Sequence, residues 1–458
     1  MIASLEDAER LLRPAAHLGL AARPLYLLPL LRTGALSALL SAEAADTGWA
    51  ERFGVEAYAL EEQTLTRESG GTARDLDELT RRLPGLVGAR WRGREYRLAA
   101  YGSHRAEWTA AVEALGARLL TPPPPADSAV LGDKTAMREW FAHLGVPTPA
   151  SAVVSGELDY ADLRGRFGPV FVAQHPRGSA GNGTYLVTCA DEARALPARD
   201  RWLVSEYAGD TAINIHGFVG LDGAPQVLRP SLQLIGVDGV GSSFGQYSGC
   251  DFQAPDLLSP LALGRCRDAA ERIGWGLGDL GYRGLFGADF VLREDRVLAL
   301  EINCRMQGSS WLLGEIELER ADGRLPTQLR HVLERHGLAT LGKPDLDPAE
   351  GVQLTVRHTG PAARALRAPE GGLHALDPAG GGGLIRRAAG VGLLECGPAD
   401  CLLVNLPRPG TLVHTGGILA RLITRQSLTT PDGRALNPYG RRLVDALHGL
   451  YSFGDATD

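Results

Sequence analysis

Three side chains with oxygen ligands interrupt two apolar segments between Gly287 and Arg305. Asp289 lies in the first segment, and Glu301 and Asn303 lie in the second, each among aromatic or aliphatic neighbours. Uncompensated polar groups are costly in such surroundings, and a divalent cation would compensate them. Carboxylate and amide oxygens, rather than histidine or thiolate, are the ligands that Mg²⁺ prefers when it bridges nucleotide phosphates. The two segments therefore predict a magnesium site.

The same two segments predict a β-hairpin from about residue 285 to residue 303. Glu301 and Asn303 are two residues apart, so their side chains share one face of their strand. A three-residue loop from Glu294 to Arg296 would place Asp289 directly opposite Glu301, whereas a two-residue loop would shift the register by one and turn Asp289 away. The other interpretation is an ordinary half-exposed hairpin with its polar residues facing water. The run Glu-x-Asn-x-Arg, followed by a small polar turn, favours the metal site.

Two features upstream suit the binding of phosphate groups. Apolar residues at helical spacing from Asp133 to Leu144 predict a helix with Asp133 as its N-cap and Lys134 in its first turn. Residues 178–183 form a glycine-rich stretch between two predicted strands, to which Ser179 adds a hydroxyl group. A Walker or Rossmann loop would lead into a helix, so a hairpin loop whose backbone amides close over phosphate fits better. A structural glycine turn would fit the stretch taken alone equally well.

The elements that must position these residues indicate an α/β fold with α+β subdomains. We divide the chain into three domains, residues 1–128, 129–345 and 346–458, of which the central one has subdomains at about 129–203 and 204–345. The first boundary falls after the proline run at residues 121–125, because prolines end regular elements. Short strands, a glycine run and a closing helix predict that the C-terminal domain is small.

The composition excludes several classes of partner. The net charge is -7 and no basic block is present, so we expect neither nucleic-acid nor membrane binding. The first ten residues lack the basic start and apolar middle of a signal peptide, which predicts a soluble, cytoplasmic protein. The six cysteines follow no zinc-binding spacing and are interpreted as packing residues.

The order of these features resembles an ATP-grasp enzyme over about residues 130–320. The matching motifs are Asp133-Lys134, the glycine stretch, the run Ser205-Glu-Tyr-Ala-Gly-Asp210 and the acidic hairpin. The resemblance implies ATP and Mg²⁺ as cofactors, bound by an ATP-grasp fold with an N-terminal pre-grasp α/β domain and a small C-terminal domain. The nucleotide contacts that it implies are Lys134 at a phosphate, Ser179, Gly181 and Gly183 over the phosphates, Glu206, Tyr207 and Ala208 at the adenine, and Asp210 or a neighbour at the ribose.

One position departs from the family pattern. The family commonly has a second phosphate-binding lysine on the strand before the glycine loop, where this chain has Gln174. Glutamine keeps a hydrogen-bond donor but lacks the positive charge. Three interpretations stay open: Arg177 compensates, nucleotide affinity is lower, or the chain is a non-catalytic nucleotide-binding regulatory protein.

The resemblance implies a ligase that activates the carboxylate of an amino acid or N-capping amino acid as an acyl phosphate. The ligase then joins it to the amine of an amino acid or peptide, releasing ADP and phosphate. Arg305 would steady the acyl phosphate and the tetrahedral intermediate, and Ser309 and Ser310 would hold a substrate carboxylate. The flanking domains resemble peptide ligases of antibiotic-type secondary metabolism. A thiol or other acceptor is the alternative within enzymes. The expected partners are therefore small molecules, and the resemblance leaves a homodimer open.

Overall fold

The computed structural model of the chain describes residues 1–13, 16–44, 49–67, 72–91, 96–102, 106–120, 131–178, 181, 183–320, 323–342, 346–378 and 382–456. The predicted proline boundary at residues 121–125 and Ser179 of the glycine stretch lie outside these described residues. Within the described ranges, every helix is either too short or too polar to cross a lipid bilayer.

A parallel sheet forms the N-terminal part of the molecule. Its strands are β1 (Ala16–Ala21), β2 (Ala38–Ser41), β3 (Glu56–Ala59), β5 (Tyr96–Ala100) and β6 (Arg118–Leu119), in the order β3-β2-β1-β5-β6. The helices of this part are Leu5–Leu12, Leu28–Arg32, Trp49–Phe53, Glu61–Thr64, Thr72–Trp91 and Ala106–Glu113. Leu18, Leu20 and Leu98 are buried on its strands, as expected for a parallel sheet that is covered on both faces. The predicted α/β class is confirmed.

A four-stranded antiparallel sheet follows. It contains β7 (Ser151–Gly156), β8 (Phe171–Gln174), β9 (Thr184–Val187) and β10 (Arg199–Glu206) in the order β7-β10-β8-β9, with helices Lys134–His143, Tyr160–Phe167 and Ala190–Ala195. Asp133 caps the first helix as predicted, because its carboxylate accepts a hydrogen bond from the Thr135 backbone N–H at 2.9 Å. Gly145 follows the helix end in the left-handed region, with φ 66.

A ten-stranded sheet forms the largest layer. Its strands are β11 (Thr211–Val219), β12 (Pro225–Ile235), β13 (Tyr247–Asp251), β14 (Gly284–Arg293), β15 (Arg296–Asn303), β16 (Val352–Arg357), β18 (Gly372–Leu376), β19 (Leu384–Ala388), β20 (Cys401–Val404) and β22 (Ile418–Thr424). Their order is β15-β14-β11-β12-β13-β16-β22-β20-β18-β19. Because β13 pairs with β16, the sheet continues across the predicted boundary near residue 346. The division into central and C-terminal domains stays a proposal from the sequence.

Further helices and a small sheet complete the fold. The helices are Pro260–Asp279, Ser310–Glu319, Thr327–Arg335 and Pro438–His448, and the short 3₁₀ turns are Pro24–Leu27, Ala254–Leu257 and Leu393–Glu395. The small sheet contains β4 (Thr66–Arg67), β17 (Ala363–Arg367), β21 (Leu412–Val413) and β23 (Ser452–Gly454), in the order β23-β17-β21-β4. Since β4 precedes the central part of the chain and pairs with β21, which follows that part, the N-terminal and C-terminal parts are joined by backbone pairing.

Candidate functional site

The predicted hairpin is formed by β14 and β15, but its turn is shorter than predicted. Arg293 pairs with Arg296, which leaves a two-residue turn of Glu294 and Asp295. Glu294 adopts the left-handed region with φ 53, which such tight turns require at one or both central positions. The three-residue loop from Glu294 to Arg296, on which the expected pairing of Asp289 with Glu301 depended, is therefore not formed.

A β-bulge restores the register that the shorter turn would have shifted. Phe290 pairs with Ala299, whereas the preceding residue, Asp289, pairs with Glu301. Leu300 is thus an extra residue on β15, and an extra residue changes the pairing by one position. Asp289 lies directly opposite Glu301, as the sequence predicted, but a two-residue turn and a bulge produce this pairing instead of a three-residue loop.

The oxygen ligands of Asp289, Glu301 and Asn303 converge at the end of this hairpin. The Asn303 side-chain amide donates to Asp289 Oδ2 at 3.1 Å. Burial, and then the charge of Glu301, raise the pKa of Asp289 to about 7, whereas Lys134 lowers the pKa of Glu301 against the effect of burial. A divalent cation would relieve the repulsion between the two carboxylates. Among the described residues, no three histidine, cysteine, aspartate or glutamate side chains are placed so that they could hold a metal ion together, so the Asn303 amide would complete the donor set.

Lys134 lies between the acidic hairpin and the end of β8. Its ammonium group forms an ion pair with Glu301, and its backbone N–H donates to the Pro176 carbonyl at 2.8 Å. The helix that carries it is fixed to β15 by Arg138, whose guanidinium donates to the Ala299 carbonyl at 2.5 Å. The helix therefore holds one cation beside the carboxylates, where nucleotide phosphates and a metal ion would meet.

The described part of the glycine stretch crosses the end of β8 and meets a second glycine-rich loop. Gly181 and Gly183 have φ of 79 and 78, which favours glycine at both positions. A Cβ atom at Gly181 would collide with the Gly245 carbonyl, so only glycine allows this contact. Gln174, at the end of β8, donates to Thr184 Oγ1 at 3.2 Å. The proposed phosphate loop thus lies between Gln174 and the segment around Gly245.

Arginine side chains surround Asp133 close to Gln174. A cleft of about 440 Å³ is lined by Asp133, His175, Arg177 and Arg201, among other residues. Arg201 Nη1 lies 3.3 Å from Asp133 Oδ2, and Arg177 Nε lies 3.8 Å from the same oxygen. Two exposed cations share one carboxylate here. Compensation for the missing lysine by Arg177 stays a prediction, and Arg201 is a second candidate for that role.

The segment that follows β10 contains the residues that are predicted to contact adenine. The Glu206 carboxylate accepts a hydrogen bond from the Ala150 backbone N–H at 3.0 Å and pairs with Arg296 at 2.9 Å. Although burial acts in the opposite direction, these two donors lower the pKa of Glu206. Ala208 packs with Val291 and Leu298 in a small apolar cluster, and its contact with adenine stays a prediction.

The next residues in this segment are held by the end of the hairpin and by the C-terminal part. The Tyr207 carbonyl accepts a hydrogen bond from Arg293 at 3.1 Å. The Tyr207 hydroxyl donates to Asp210, whose carboxylate also pairs with Arg434. A ribose hydroxyl at Asp210 would therefore share that carboxylate with an arginine that the sequence did not indicate.

Comparison with known proteins identifies this part of the chain. Residues 131–309 match the family model described as the ATP-grasp domain. The match begins just before Lys134 and ends just after Arg305, so it includes the acidic hairpin, the glycine stretch and the linker after β10.

Two curated proteins have similar sequences. The L-propargylglycine–L-glutamate ligase of Streptantibioticus cattleyicolor is 30% identical over 251 residues, which are 50% of this chain and 48% of that protein. The formate-dependent phosphoribosylglycinamide formyltransferase of Bordetella pertussis is 25% identical over 247 residues, which are 51% of this chain and 56% of that protein. The chain thus spans about half the length of these relatives.

Solved structures match nearly the whole chain. They include biotin carboxylase of Campylobacter jejuni, with TM-score 0.59, 12% identity, and coverage of 96% of this chain and 92% of that chain. N5-carboxyaminoimidazole ribonucleotide synthetase of Thermotoga maritima has TM-score 0.55, 13% identity, and coverage of 96% and 99%. The biotin carboxylase domain dimer of Hydrogenobacter thermophilus 2-oxoglutarate carboxylase, in complex with MgADP, has TM-score 0.55, 14% identity, and coverage of 96% and 90%. At these identities the likeness shows the fold alone, and the predicted ATP-grasp fold is confirmed.

Arg305 lies beside the carboxylates, within the residues that match the family model. Its Nη2 donates to Asn303 Oδ1 at 2.8 Å, and its Nη1 donates to the Met306 carbonyl at 3.2 Å. Its charge also acts to lower the pKa of Asp289. These contacts fix the guanidinium next to the proposed metal ligands, where it could contact a phosphorylated substrate. The catalytic and substrate-binding role of Arg305 stays a prediction.

Ser309 and Ser310 are buried at the start of the helix Ser310–Glu319. Their hydroxyl groups lie 3.3 and 3.1 Å from His216 Nε2, and Ser310 Oγ also accepts from the Gln307 backbone N–H at 2.9 Å. Burial lowers the pKa of His216 to about 3, so the ring is neutral in this contact. The two hydroxyls are therefore engaged with the protein, and their predicted substrate contact stays a prediction.

Neutral amides that sequence reasoning missed hold Asp289 in place. Asn214 and Gln233 donate to Asp289 Oδ1 at 2.5 and 2.8 Å. Asn214 in turn accepts a hydrogen bond from the Gln307 side chain at 3.0 Å. Asn214 and His216 interrupt an apolar strand at a spacing of two, which is the same signal that indicated Glu301 and Asn303.

Proposed function

We propose that this protein is an ATP-dependent, Mg²⁺-requiring ligase that activates a carboxylate as an acyl phosphate and transfers the acyl group to an amine. The observation that carries the proposal is the convergence of Asp289, Glu301 and Asn303 beside Lys134 and Arg305. Two carboxylates, one amide and two cations at one end of a buried hairpin suit metal-bound polyphosphate better than any other small ligand.

The residues of the site would act mainly by position and charge. Bound Mg²⁺ would be held by Asp289, Glu301 and Asn303 and would supply charge neutralisation at the phosphates. Lys134 would leave Glu301 in part to contact a phosphate, while the amides at Gly181 and Gly183 cover the nucleotide. A substrate carboxylate would attack the γ-phosphorus and release ADP, and Arg305 would bind the negative charge of the acyl phosphate. An amine would then attack the acyl carbon and release phosphate.

The acceptor and the metabolic context are finer parts of the proposal. Similarity to an amino acid ligase supports an amino acid or peptide as the amine substrate. The resemblance of the flanking domains to the peptide ligase of pheganomycin biosynthesis supports a role in secondary metabolism. We also propose cytoplasmic location and, from the dimer among the matching structures, a homodimer.

Release of ADP tests the proposal. The protein would be incubated with Mg²⁺-ATP and pairs drawn from panels of carboxylates, amino acids and peptides. We expect ADP release that depends on both substrates and that falls by about 100-fold or more in Glu301→Gln, since an amide binds Mg²⁺ and orients Lys134 poorly. Glu294→Gln is the matched control, because this glutamate lies in the exposed turn of the same hairpin.

A non-catalytic nucleotide-binding protein is the second candidate, and Gln174 is the observation that favours it. Tight ATP binding without ADP release from any substrate pair would support this candidate. ADP release that persists when a thiol replaces the amine in the assay would indicate the third option, an acyl-phosphate ligase with a different acceptor. Failure to bind ATP would contradict all three.

A further inference from the structure

Four arginines and two glutamates are buried together where the N-terminal, central and C-terminal parts of the chain meet. They are Arg23, Glu43, Glu61 and Arg67 from the N-terminal part, and Arg357 and Arg421 from β16 and β22. Arg67 binds Glu61 through two hydrogen bonds of 3.0 and 2.6 Å. Both glutamates are engaged by arginine, so among the described residues of this cluster the positive charges exceed the negative charges by two.

Glu43 is the second carboxylate of the cluster. Arg23 Nε lies 3.3 Å from Glu43 Oε1. Burial opposes ionisation of Glu43, but the charges of Arg23, Arg67 and Arg421 lower its pKa, so it carries a full negative charge. Glu43 therefore balances the charge of Arg23, as Glu61 balances that of Arg67. The charges of Arg357 and Arg421 have no carboxylate partner among the described residues of the cluster.

Arg357 and Arg421 pair with neutral groups instead of carboxylates. Arg357 donates to the carbonyls of Gly416 and Tyr247 at 3.1 and 3.3 Å. Arg421 donates to Asn405 Oδ1 at 2.9 Å and to the Tyr26 hydroxyl at 3.4 Å. The Nε atoms of both arginines are buried without a hydrogen-bond partner. Each of these two buried guanidinium groups thus has an N–H donor for which the described protein atoms provide no acceptor.

Tyr26 lies at the centre of this arrangement. The Arg421 and Arg23 guanidinium carbons lie 5.2 and 5.8 Å from the centre of its ring. Tyr101 stacks on the same ring, with a centroid distance of 4.6 Å. Burial, followed by the charges of Arg23 and Arg421, lowers the pKa of Arg357 to about 10, so the three guanidinium groups lie close enough to repel one another. An anion between them would remove this repulsion.

The cluster borders the ATP-grasp site. Burial raises the pKa of the Tyr101 hydroxyl, whereas Ser310 and Arg305 act in the opposite direction, so this hydroxyl lies near both residues. A Cβ atom at Gly308 would lie 3.0 Å from the Tyr247 ring, whose carbonyl binds Arg357. The turn that follows the acidic hairpin therefore lies between Arg305 and the arginine cluster.

We propose that Arg357 and Arg421 form a binding site for a carboxylate of the substrate that is not phosphorylated, with Tyr26 as its floor. The guanidinium fork matches the two oxygens of a carboxylate. The buried hydroxyls of Tyr101, which stacks on Tyr26, and of Tyr247, whose carbonyl binds Arg357, supply further donors. Resting on the proposed ligase function, this site selects an amino acid or peptide that retains a free carboxylate, and it keeps that group away from the γ-phosphate.

Binding of a small carboxylate tests the site without any turnover. The thermal unfolding midpoint of the protein would be measured in acetate, in acetamide and in inorganic phosphate, with ionic strength held constant by sodium chloride. We expect acetate to raise the midpoint of the wild type by about 1 to 3 °C relative to acetamide. Arg357→Gln should lose this rise and Arg357→Lys should keep part of it. Arg229→Gln should keep all of it, because Arg229 is equally buried but bound to Asp256.

Kinetics with matched substrates completes the test. For an amino acid that supports ADP release, we expect kcat/KM to exceed that of its carboxamide by about 10- to 100-fold in the wild type, and the ratio to approach one in Arg357→Gln. An acetate effect that is absent in the wild type or unchanged in Arg357→Gln would overturn the proposal, and so would stabilisation by phosphate alone. Acetate binding without any ADP release would leave this site standing and contradict the ligase function.

Discussion

At the scale of single residues, the position of Asp289 depends on neutral amides. Asn214 Nδ2 lies 2.5 Å from Asp289 Oδ1 and links it to Gln307. Groups that orient a metal ligand typically contribute 10- to 100-fold to metal affinity. We expect Asn214→Ala to raise the Mg²⁺ concentration for half-maximal ADP release by about this factor, because the Asp289 carboxylate would lose one of the two amides that hold its Oδ1.

Nucleotide binding in EDTA is the control for this variant. Without metal, Asn214→Ala and the wild type should bind the nucleotide with the same affinity. Gln226→Ala is a second control: this amide lies on a neighbouring strand and donates to the Gly342 carbonyl, away from the hairpin. The same Mg²⁺ dependence in Asn214→Ala and wild type would contradict the positioning role.

Substitution of Gln174 is expected to strengthen ligand binding, whereas substitution of Asn214 should weaken it. Its side chain is half-buried at the end of β8, where the family commonly has lysine. We expect Gln174→Lys to tighten ADP binding by about 3- to 10-fold at low salt, because an ammonium group would add to the field of Arg177 and Arg201 at the phosphates. Calorimetric titration at two salt concentrations measures this, and the gain should shrink at high salt. Unchanged affinity at low salt would show that the phosphates lie elsewhere.

The sequence indicated which residues belong to the candidate site, but not which residues they contact. Asp289, Glu301 and Asn303 were predictable because oxygen ligands stood out in apolar strands. Asn214 shows the same pattern, but its meeting with Asp289 depends on pairing between strands 75 residues apart. Such pairing is decided by the packing of the whole sheet and leaves no local signal.

At the scale of elements, the hairpin shows why register is hard to predict. The turn length and the bulge at Leu300 each shift the pairing by one residue, and the two shifts cancel at Asp289. Hydrophobic alternation identifies strands but does not report an extra residue when its neighbours are also apolar. The correct pair was therefore predicted together with a wrong turn.

The turn itself predicts a stabilising substitution. Glu294 has φ 53, a conformation that strains a residue with a Cβ atom but not glycine. We expect Glu294→Gly to raise the free energy of unfolding by about 0.5 to 1 kcal/mol. Urea denaturation would measure this, with Asp295→Gly as the matched control. Asp295 has no positive φ, so glycine at that position should only lower the free energy of unfolding. If Glu294→Gly also lowered the free energy of unfolding, the result would contradict the observed turn.

At the scale of the whole molecule, the chain is more continuous than its predicted domains. The order of motifs indicated the ATP-grasp fold, but pairing of β13 with β16 could not be predicted. A Cβ atom at Gly249 would collide with the Gln353 carbonyl, so this glycine allows the close approach that joins the two halves of the sheet. A single glycine among 58 carries no sequence signal for such a role.

An ion-pair group joins the three parts at another point. Arg32 of the N-terminal part donates to Glu315 at 2.6 Å and to Glu395 at 2.9 Å. Glu315 lies in the helix that follows the hairpin, and its side chain is fully buried. Burial raises its pKa to about 7, although Arg32 acts to lower it. Arg32 is thus the counter-charge for a carboxylate that cannot reach water.

The sign of the resulting pH dependence follows from proton binding. A buried carboxyl group whose pKa lies above its unfolded value of 4.5 keeps a proton that the unfolded chain has lost. Its contribution to stability therefore falls as the pH rises from about 4.5 to about 7. Without Arg32 the folded-state pKa of Glu315 would rise further, so the fall would continue to higher pH.

We therefore expect Arg32→Met to lower the free energy of unfolding by about 3 to 5 kcal/mol at pH 8 and by clearly less near pH 5.5, where Glu315 can be protonated. Urea unfolding at several pH values would measure the difference. Adding Glu315→Gln to Arg32→Met should recover much of the loss at pH 8, because a buried amide needs no counter-charge. A loss that is equal at both pH values, or that Glu315→Gln does not relieve, would mean that Arg32 stabilises the molecule by packing and that the three parts are not coupled through charge.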